Sequence, residues 1–429
     1  MKLKLLIWLK DYRFFQVFIL GMVSGMPITL IFSTFGVWLK DFGISIEMIT
    51  AIAIARMPYA FKALWSPIVD YFNIPILSRF GRRKSWMIIT TSLITVLLFL
   101  MSGVNPLESF AYLMTLAIFL GLLSATYDIA YDAFRIELFD DHEQALGAAT
   151  TILGYRIGML ITGAGALYLA GVTNNDWELV FQMLAAIFFF GLLFILTVQD
   201  KVTKSVEVSL ESPHTKSLLN AINNSVVQPL KDLLGREGSI AILASIALYK
   251  LGEAMLGCVS NPFYMELGYV KEQIAIIAKG YGLIATLVGG YLGAILIYRL
   301  GNIKGMIVCG IAQSVANFMY IWLHYQPVVS SSLFVTIVCD NVTGGMGAVA
   351  LISYLSMLCN KKYTATQYAL LSSLASLAST TLVIKSGSLV KSLGWDAFFT
   401  LTVFLEIPAL LFLIYIGNRF GFNKQLGKI

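Results

Sequence analysis

Asp128, Asp132 and Arg135 share one helical face in TYDIAYDAFRIEL, Thr126 to Leu138, at the end of a run from Phe110 to Tyr127 that carries no charge. Such carboxylates carry protons or pair with cations. Either role is costly here, because a charge at the centre of a bilayer span is disfavoured by roughly 2.5–3.5 kcal/mol. Other apolar runs are interrupted in the same way by Arg56, Lys62, Arg156, Lys250, Glu253, Lys279, Asp340, Lys385 and Glu406. Together with Asp128 they need partners or a wet central cavity. The three histidines, at 142, 214 and 324, fall near loops or span ends, so proton transfer would use Asp128, Asp340 or Glu253. The cysteines at 258, 309, 339 and 359 have no paired spacing, which suggests neither a disulfide framework nor a zinc site. No metal and no cofactor are expected. The acidic loop DDHEQ, Asp140 to Gln144, is the one place where membrane-surface catalysis such as a transferase reaction could sit.

The elements that must position these residues follow from composition. With 58% apolar residues, 13% charged residues and a mean hydropathy of +0.79, the chain is an all-α, polytopic membrane protein. Hydrocarbon about 30 Å thick needs roughly 20 apolar residues per crossing, and twelve such stretches can be placed. They cover roughly 14–39, 47–70, 85–103, 109–136, 145–171, 177–198, 239–266, 272–298, 305–324, 330–358, 366–391 and 395–417. The polar connection 199–238 contains LLNAINNSVVQPLKDLL, whose apolar spacing suits a helix lying on the membrane surface. It separates a six-helix bundle over 1–198 from another over 239–429. One set of loops and both termini hold 21 of the 30 Lys and Arg residues, which places both termini in the cytoplasm. The net charge of +6 belongs to that asymmetry rather than to nucleic-acid binding. MKLKLLIWLKDYRFF lacks a small-residue cleavage site and continues into a full-length span, so it is expected to be an uncleaved first helix.

The halves look like internal repeats, with GMP (25–27) answering to SNP (260–262) and Asp128 to Asp340 at an offset of 212. Pairing within one helix competes with function for Asp132 with Arg135 and for Lys250 with Glu253, each three residues apart. Lys385 and Glu406 suit helix-to-helix pairing. Gly21 with Gly25 and Gly289 with Gly293 are spaced for close helix seams. Asp70 precedes GRRK, and with Gly81, Arg82, Arg83, Asp132 and Arg135 it makes a gate set, Asp70 meeting guanidinium groups or a neighbouring helix N-terminus. At 1.5 Å per residue, Asp128 lies about 10 Å from Arg135 and Arg156 about 16 Å from Ala145. The two are therefore expected to pair across the fourth and fifth spans.

DIAYDAFRIELF (128–139), LGYR (153–156), LYKLGEA (248–254), KGYGLIAT (279–286), GGMG (344–347) and CNKKYTATQYALLS (359–372) resemble the muropeptide permeases of bacterial cell-wall recycling. The similarity extends through FILGMVSGMPI, PYAFKALWSPIVD and GRRKSW, over nearly the whole chain. It implies a major facilitator fold of two pseudo-symmetric six-helix bundles, a monomer in the bacterial inner membrane. The function implied is import of N-acetylglucosaminyl-anhydromuramyl peptides by proton symport, with no covalent chemistry. Cargo contacts would come from Arg156, Tyr127, Tyr155, Lys62, Lys250, Lys279 and Asn341, with tyrosines stacking on sugars and cations meeting peptide carboxylates. Tyr127 stands where the family usually has Gln, Arg56 where a small residue is usual, and Glu253 and Asp340 each exchange one acid for the other. These departures keep acetyl-CoA, the cargo of relatives, open as an alternative, alongside a membrane-embedded transferase and a passive channel.

Overall fold

The computed structural model describes residues 11–44, 48, 52–75, 77–198, 227–360, 363–383 and 385–421, and among them there is no strand. Nine helices among the described residues are long and apolar enough to cross a membrane. Local chemistry starts several of them. The Asp11 carboxylate accepts from the backbone N–H of Arg13 at the head of Tyr12–Thr29, and Asp176 does the same for Leu179 at the head of Trp177–Thr197.

The other three expected crossings are interrupted helices. Tyr12–Thr29 passes through a π-helical turn, Leu30–Thr34, into Phe35–Asp41. Pro27 lies just before that turn and has no N–H to give the ladder, so the backbone re-registers there. The second expected crossing is a series of short turns, Ile52–Arg56, Met57–Phe61, Lys62–Leu64 and Ser66–Tyr71. Pro58 and Pro67 open two of them, as proline does in a first helical turn. The eleventh runs from Thr364–Val383 into Ser386–Leu393, with exposed Lys385 at the second start. The seventh is also broken, between Ser239–Leu248 and Leu251–Glu266, at Tyr249 and Lys250.

The described contacts divide the chain into two compact units. The first comprises residues 1–139, 150–229 and 361–369, and the second 140–149, 230–360 and 370–429. Of the expected surface helix, 199–226 lie outside the described residues and Gln228–Leu234 is helical.

Aromatic packing anchors each unit. In the first, Trp38 lies 4.4 Å from Phe181 between ring centroids and 6.4 Å from Trp177. In the second, Phe263 meets Trp395 and Phe399 at 4.8 Å, and Tyr320 meets Phe399 at 5.3 Å. The glycine seams form as the spacing predicts. A side chain at Gly25 would overlap the Tyr155 carbonyl, and one at Gly289 the Val342 carbonyl. A second π-helical turn, Ile161–Gly165, faces the first, with Thr34 Oγ1 donating to Thr162 O at 2.7 Å and Thr162 Oγ1 to Met26 O at 2.6 Å.

The repeat register needs correction. Phe110–Leu138 and Ser330–Leu358 are both 29 residues long. Their starts and their ends differ by the same 220 positions (330 − 110 and 358 − 138), not by 212. Asp340 therefore sits about two turns away from the place that would match Asp128.

Candidate functional site

Asp70, at the end of Ser66–Tyr71, joins several of the expected gate residues. Its Oδ1 accepts from Arg83 Nη2 at 2.6 Å and from the Ala365 backbone N–H at 3.2 Å, and its Oδ2 accepts from the Thr366 N–H at 2.6 Å. These amides open the Thr364–Val383 helix, so the carboxylate meets both the guanidinium and the helix N-terminus that the sequence offers it. Arg83, 1% exposed, also donates to Glu137 Oε1 from Nε at 3.1 Å and Nη2 at 2.7 Å, and to Val69 O. Arg82 Nη1 donates to the Asp70 carbonyl at 2.6 Å. Gly81 makes the turn into Arg82–Ser102 with φ 93°, a conformation that side-chain-bearing residues rarely adopt. Asp132 and Arg135 pair loosely at 3.8 Å, and the buried Arg135 guanidinium lies over the Tyr368 ring at 5.6 Å.

Asp128 occupies a sparser environment. It is buried in Phe110–Leu138, and its Oδ1 accepts from Ser24 Oγ at 2.6 Å across to Tyr12–Thr29. The half-buried Lys62 is the cation whose field reaches both Asp128 and Asp132. Around it, Tyr59 donates to Ser124 at 2.7 Å and Trp65 Nε1 to Thr126 at 3.1 Å. Tyr127 is packed away: its hydroxyl donates to Leu20 O at 3.1 Å, and its ring stacks on Tyr131. Tyr155 remains half-buried beside Arg156.

The expected ion pair between Asp128 and Arg156 does not form among the described residues; Asp128 takes Ser24 instead. The reason is rotational. Gly154 and Gly158 press the fifth crossing against Phe18 and Met22 of the first helix, and Arg156, two residues from each, points about 160° away from that seam. Counting residues along a span does not say which side of the helix a charge occupies.

The second unit gathers more charge. Lys250, at the break in the seventh crossing, forms an ion pair with Glu253 and donates to Gly344 O at 3.2 Å and Gln313 Oε1 at 3.4 Å. The Gln313 amide is held at its other end by Glu406, whose Oε1 accepts from Nε2 at 2.8 Å. Glu406 Oε1 also accepts from the Glu253 backbone N–H at 3.3 Å, and its Oε2 from Ser314 Oγ at 2.6 Å. It thus caps Leu251–Glu266 from another helix, where the N-cap residue itself, Lys250, cannot. Two carboxylates share one ammonium, directly and through an amide turned by opposite charges at its two ends.

Asp340 stands apart on Ser330–Leu358, its Oδ2 accepting from Tyr320 Oη at 3.0 Å; Tyr264 Oη in turn donates to Tyr320 Oη at 3.0 Å. Asn341 accepts from Thr286 Oγ1 at 2.9 Å and donates to Ile337 O, tying two helices together. Lys279 falls on the π-helical Ala275–Tyr281, and its side chain lies outside the described residues. Arg56 ends the Ile52–Arg56 turn half-buried. Glu137, Gln313, Ser314, Tyr264 and Tyr320 were not legible as site residues. Their partners lie 20 to 93 positions away, and only Glu137, a carboxylate inside the quoted DAFRIEL, carried a signal at all.

Residues 17–256 match the model of the Major Facilitator Superfamily. The chain is 31% identical to the anhydromuropeptide permease of Escherichia coli (strain K12) over 407 residues, covering 95% of this chain and 80% of that protein. The chain belongs to the muropeptide permease family of the major facilitator superfamily. A Rickettsia conorii (strain ATCC VR-613 / Malish 7) protein that carries the name AmpG 4 is 52% identical over 410 residues, 96% of this chain and 98% of that one. Among solved structures, the fucose:proton symporter of E. coli superposes with a TM-score of 0.65 at 10% identity, over 94% of this chain and 98% of that chain, a likeness of fold. The family assignment and the apolar helices together make this chain a multi-pass membrane transporter.

Proposed function

We propose that the protein imports anhydromuropeptides across a bacterial inner membrane by alternating access, driven by co-transported protons. The observation that carries this reading is the similarity along nearly the full chain to a permease named for that cargo. The chemistry of the site is compatible with it. A muropeptide offers sugars and peptide carboxylates, and the chain offers Tyr155, Arg156, Lys62, Lys250 and Asn341, with Lys279 on its π-helical stretch and Tyr127 buried against Tyr131. Asp128, Glu253 and Asp340 are the proton-carrying set. Asp70, Gly81, Arg82, Arg83, Asp132 and Arg135 are the gate, which opens when Asp70 releases the first turn of Thr364–Val383. Both termini face the cytoplasm, by the distribution of Lys and Arg, the halves at 1–198 and 239–429 move as bundles about the 199–238 connection, and the protein works as a monomer.

Purified protein in proteoliposomes tests this directly. Labelled N-acetylglucosaminyl-anhydromuramyl peptide should accumulate above its external concentration only when a proton gradient is imposed, and acetyl-CoA should not compete. Competition by acetyl-CoA would reassign the cargo, and equilibration without accumulation would make the protein a passive pathway. Covalent turnover of the peptide in detergent, with no compartments present, would point to an enzyme.

A further inference from the structure

Tyr264, Tyr320 and Asp340 form a continuous chain of hydroxyl donors that ends on a carboxylate, and both phenols are buried to within 3% of full coverage. The order of the donors is directional: Tyr264 Oη gives to Tyr320 Oη, which gives to Asp340 Oδ2. The three residues also descend in depth. Tyr264 lies two residues before the end of Leu251–Glu266, Tyr320 four before the end of Asn302–His324, and Asp340 ten after the start of Ser330–Leu358. At 1.5 Å per residue these are about 3, 6 and 15 Å from the helix ends. Since crossings alternate, those three ends belong to one membrane face. Helical side chains lean towards the N-terminus of their own helix, which for Tyr264 and Tyr320 is inward, and this closes the gap to Asp340.

The surroundings isolate the chain. Tyr264 and Tyr320 stack at 6.1 Å, and Phe263 and Phe399 pack on Tyr320 at 6.3 and 5.3 Å. In an apolar wall a phenol is well suited to passing a proton on, because it is donor and acceptor in one atom and stays neutral before and after.

We propose that Tyr264 and Tyr320 are a proton relay that loads Asp340 from the outer face, which rests on the proton-coupled reading above and gives its second-unit carboxylate a route. A hydronium at the outer end gives its proton to Tyr264 Oη, the Tyr264 proton passes to Tyr320 Oη, and the Tyr320 proton passes to Asp340 Oδ2. Water is left outside, both phenols remain neutral, and Asp340 becomes a carboxylic acid. Rotation of the two hydroxyls resets the chain.

The test needs no cargo. In lipid-reconstituted protein, an acid jump followed by infrared spectroscopy reads the carboxylic C=O stretch of Asp340, identified by its loss in Asp340→Asn. Tyr320→Phe and Tyr264→Phe should each slow its appearance roughly tenfold or more, with the same final amplitude. Tyr264→Phe is the deciding variant, because its hydroxyl is not bonded to Asp340 and its ring, with its packing, is kept. An unchanged rate in Tyr264→Phe overturns the relay even if Tyr320→Phe is slow, and so does a wild-type protein in which Asp340 never takes a proton. Uptake separates this from the broader reading: wild-type accumulation indifferent to the gradient overturns proton-coupled import whatever the infrared rates show.

Discussion

Two helices of equal length carry their acids at opposite ends. Asp128 lies ten residues before the end of Phe110–Leu138, and Asp340 ten residues after the start of Ser330–Leu358. Each accepts from a single hydroxyl, Ser24 or Tyr320, yet the units around them differ. Asp128 is held by one serine hydroxyl, with Lys62 acting at longer range. The second unit has its own densely engaged carboxylate, Glu406, with a glutamine, a serine and a helix-end amide as donors, and keeps Lys250 and Glu253 as a direct pair beside it. The halves thus share a scaffold while distributing their charge differently. Saturated networks hold geometry, and sparsely held acids are the ones free to change partners.

Substitution can break that contrast. Glu406→Ala should have the largest effect on stability, because it strands Gln313 Nε2, the Ser314 hydroxyl and the Glu253 N–H inside the unit. Loss of one member of a buried charged network costs about 3–5 kcal/mol, so a large fall in Tm in detergent is expected, and a fall of only a degree or two would mean that the network is not a structural unit. Lys250→Met comes next. It leaves Glu253 and Glu406 without their shared cation, at a penalty of about 1–3 kcal/mol that Lys250→Met/Glu253→Gln should partly recover in the same assay.

Asp128→Asn should barely move Tm, since the amide oxygen can still accept from Ser24, yet on the proposed mechanism it should abolish accumulation against a gradient while exchange persists. Preserved accumulation would remove Asp128 from the proton-carrying set. Ser24→Ala is the mildest, about 1 kcal/mol or less in thermal or denaturant unfolding, and it sharpens the comparison by showing how little holds that acid.

What could be read in advance followed from depth and local spacing. Hydropathy located nine crossings among the described residues, and Asp70 beside GRRK announced an ion pair because its partner, Arg83, lies thirteen residues away in the chain. Rotation about a helix axis was not readable. It depends on which face meets a neighbour, and Gly154 and Gly158 settle it for Arg156 through contacts with a helix more than a hundred positions earlier. Glu406 illustrates the same limit, since a lone acid in an apolar run shows that partners exist without saying that they are Gln313, Ser314 and a backbone amide. Proline breaks were visible as residues, but the helical pieces they produce between 52 and 71 were not.

The facing π-helical turns at Leu30–Thr34 and Ile161–Gly165 have a consequence for helical phase. A π-turn holds one residue more than the α-turn it replaces, so it is a local phase shift of about 100° stored in the backbone. Removing one residue between Leu30 and Thr34 would let the ladder close as a plain α-helix. Phe35–Asp41 would then turn by that angle, carrying Trp38 out of its contact with Phe181 and Trp177. The aromatic anchor of the first unit is therefore set in register by a surplus residue some distance from it, and the length of that turn is as much a part of the core as the rings themselves.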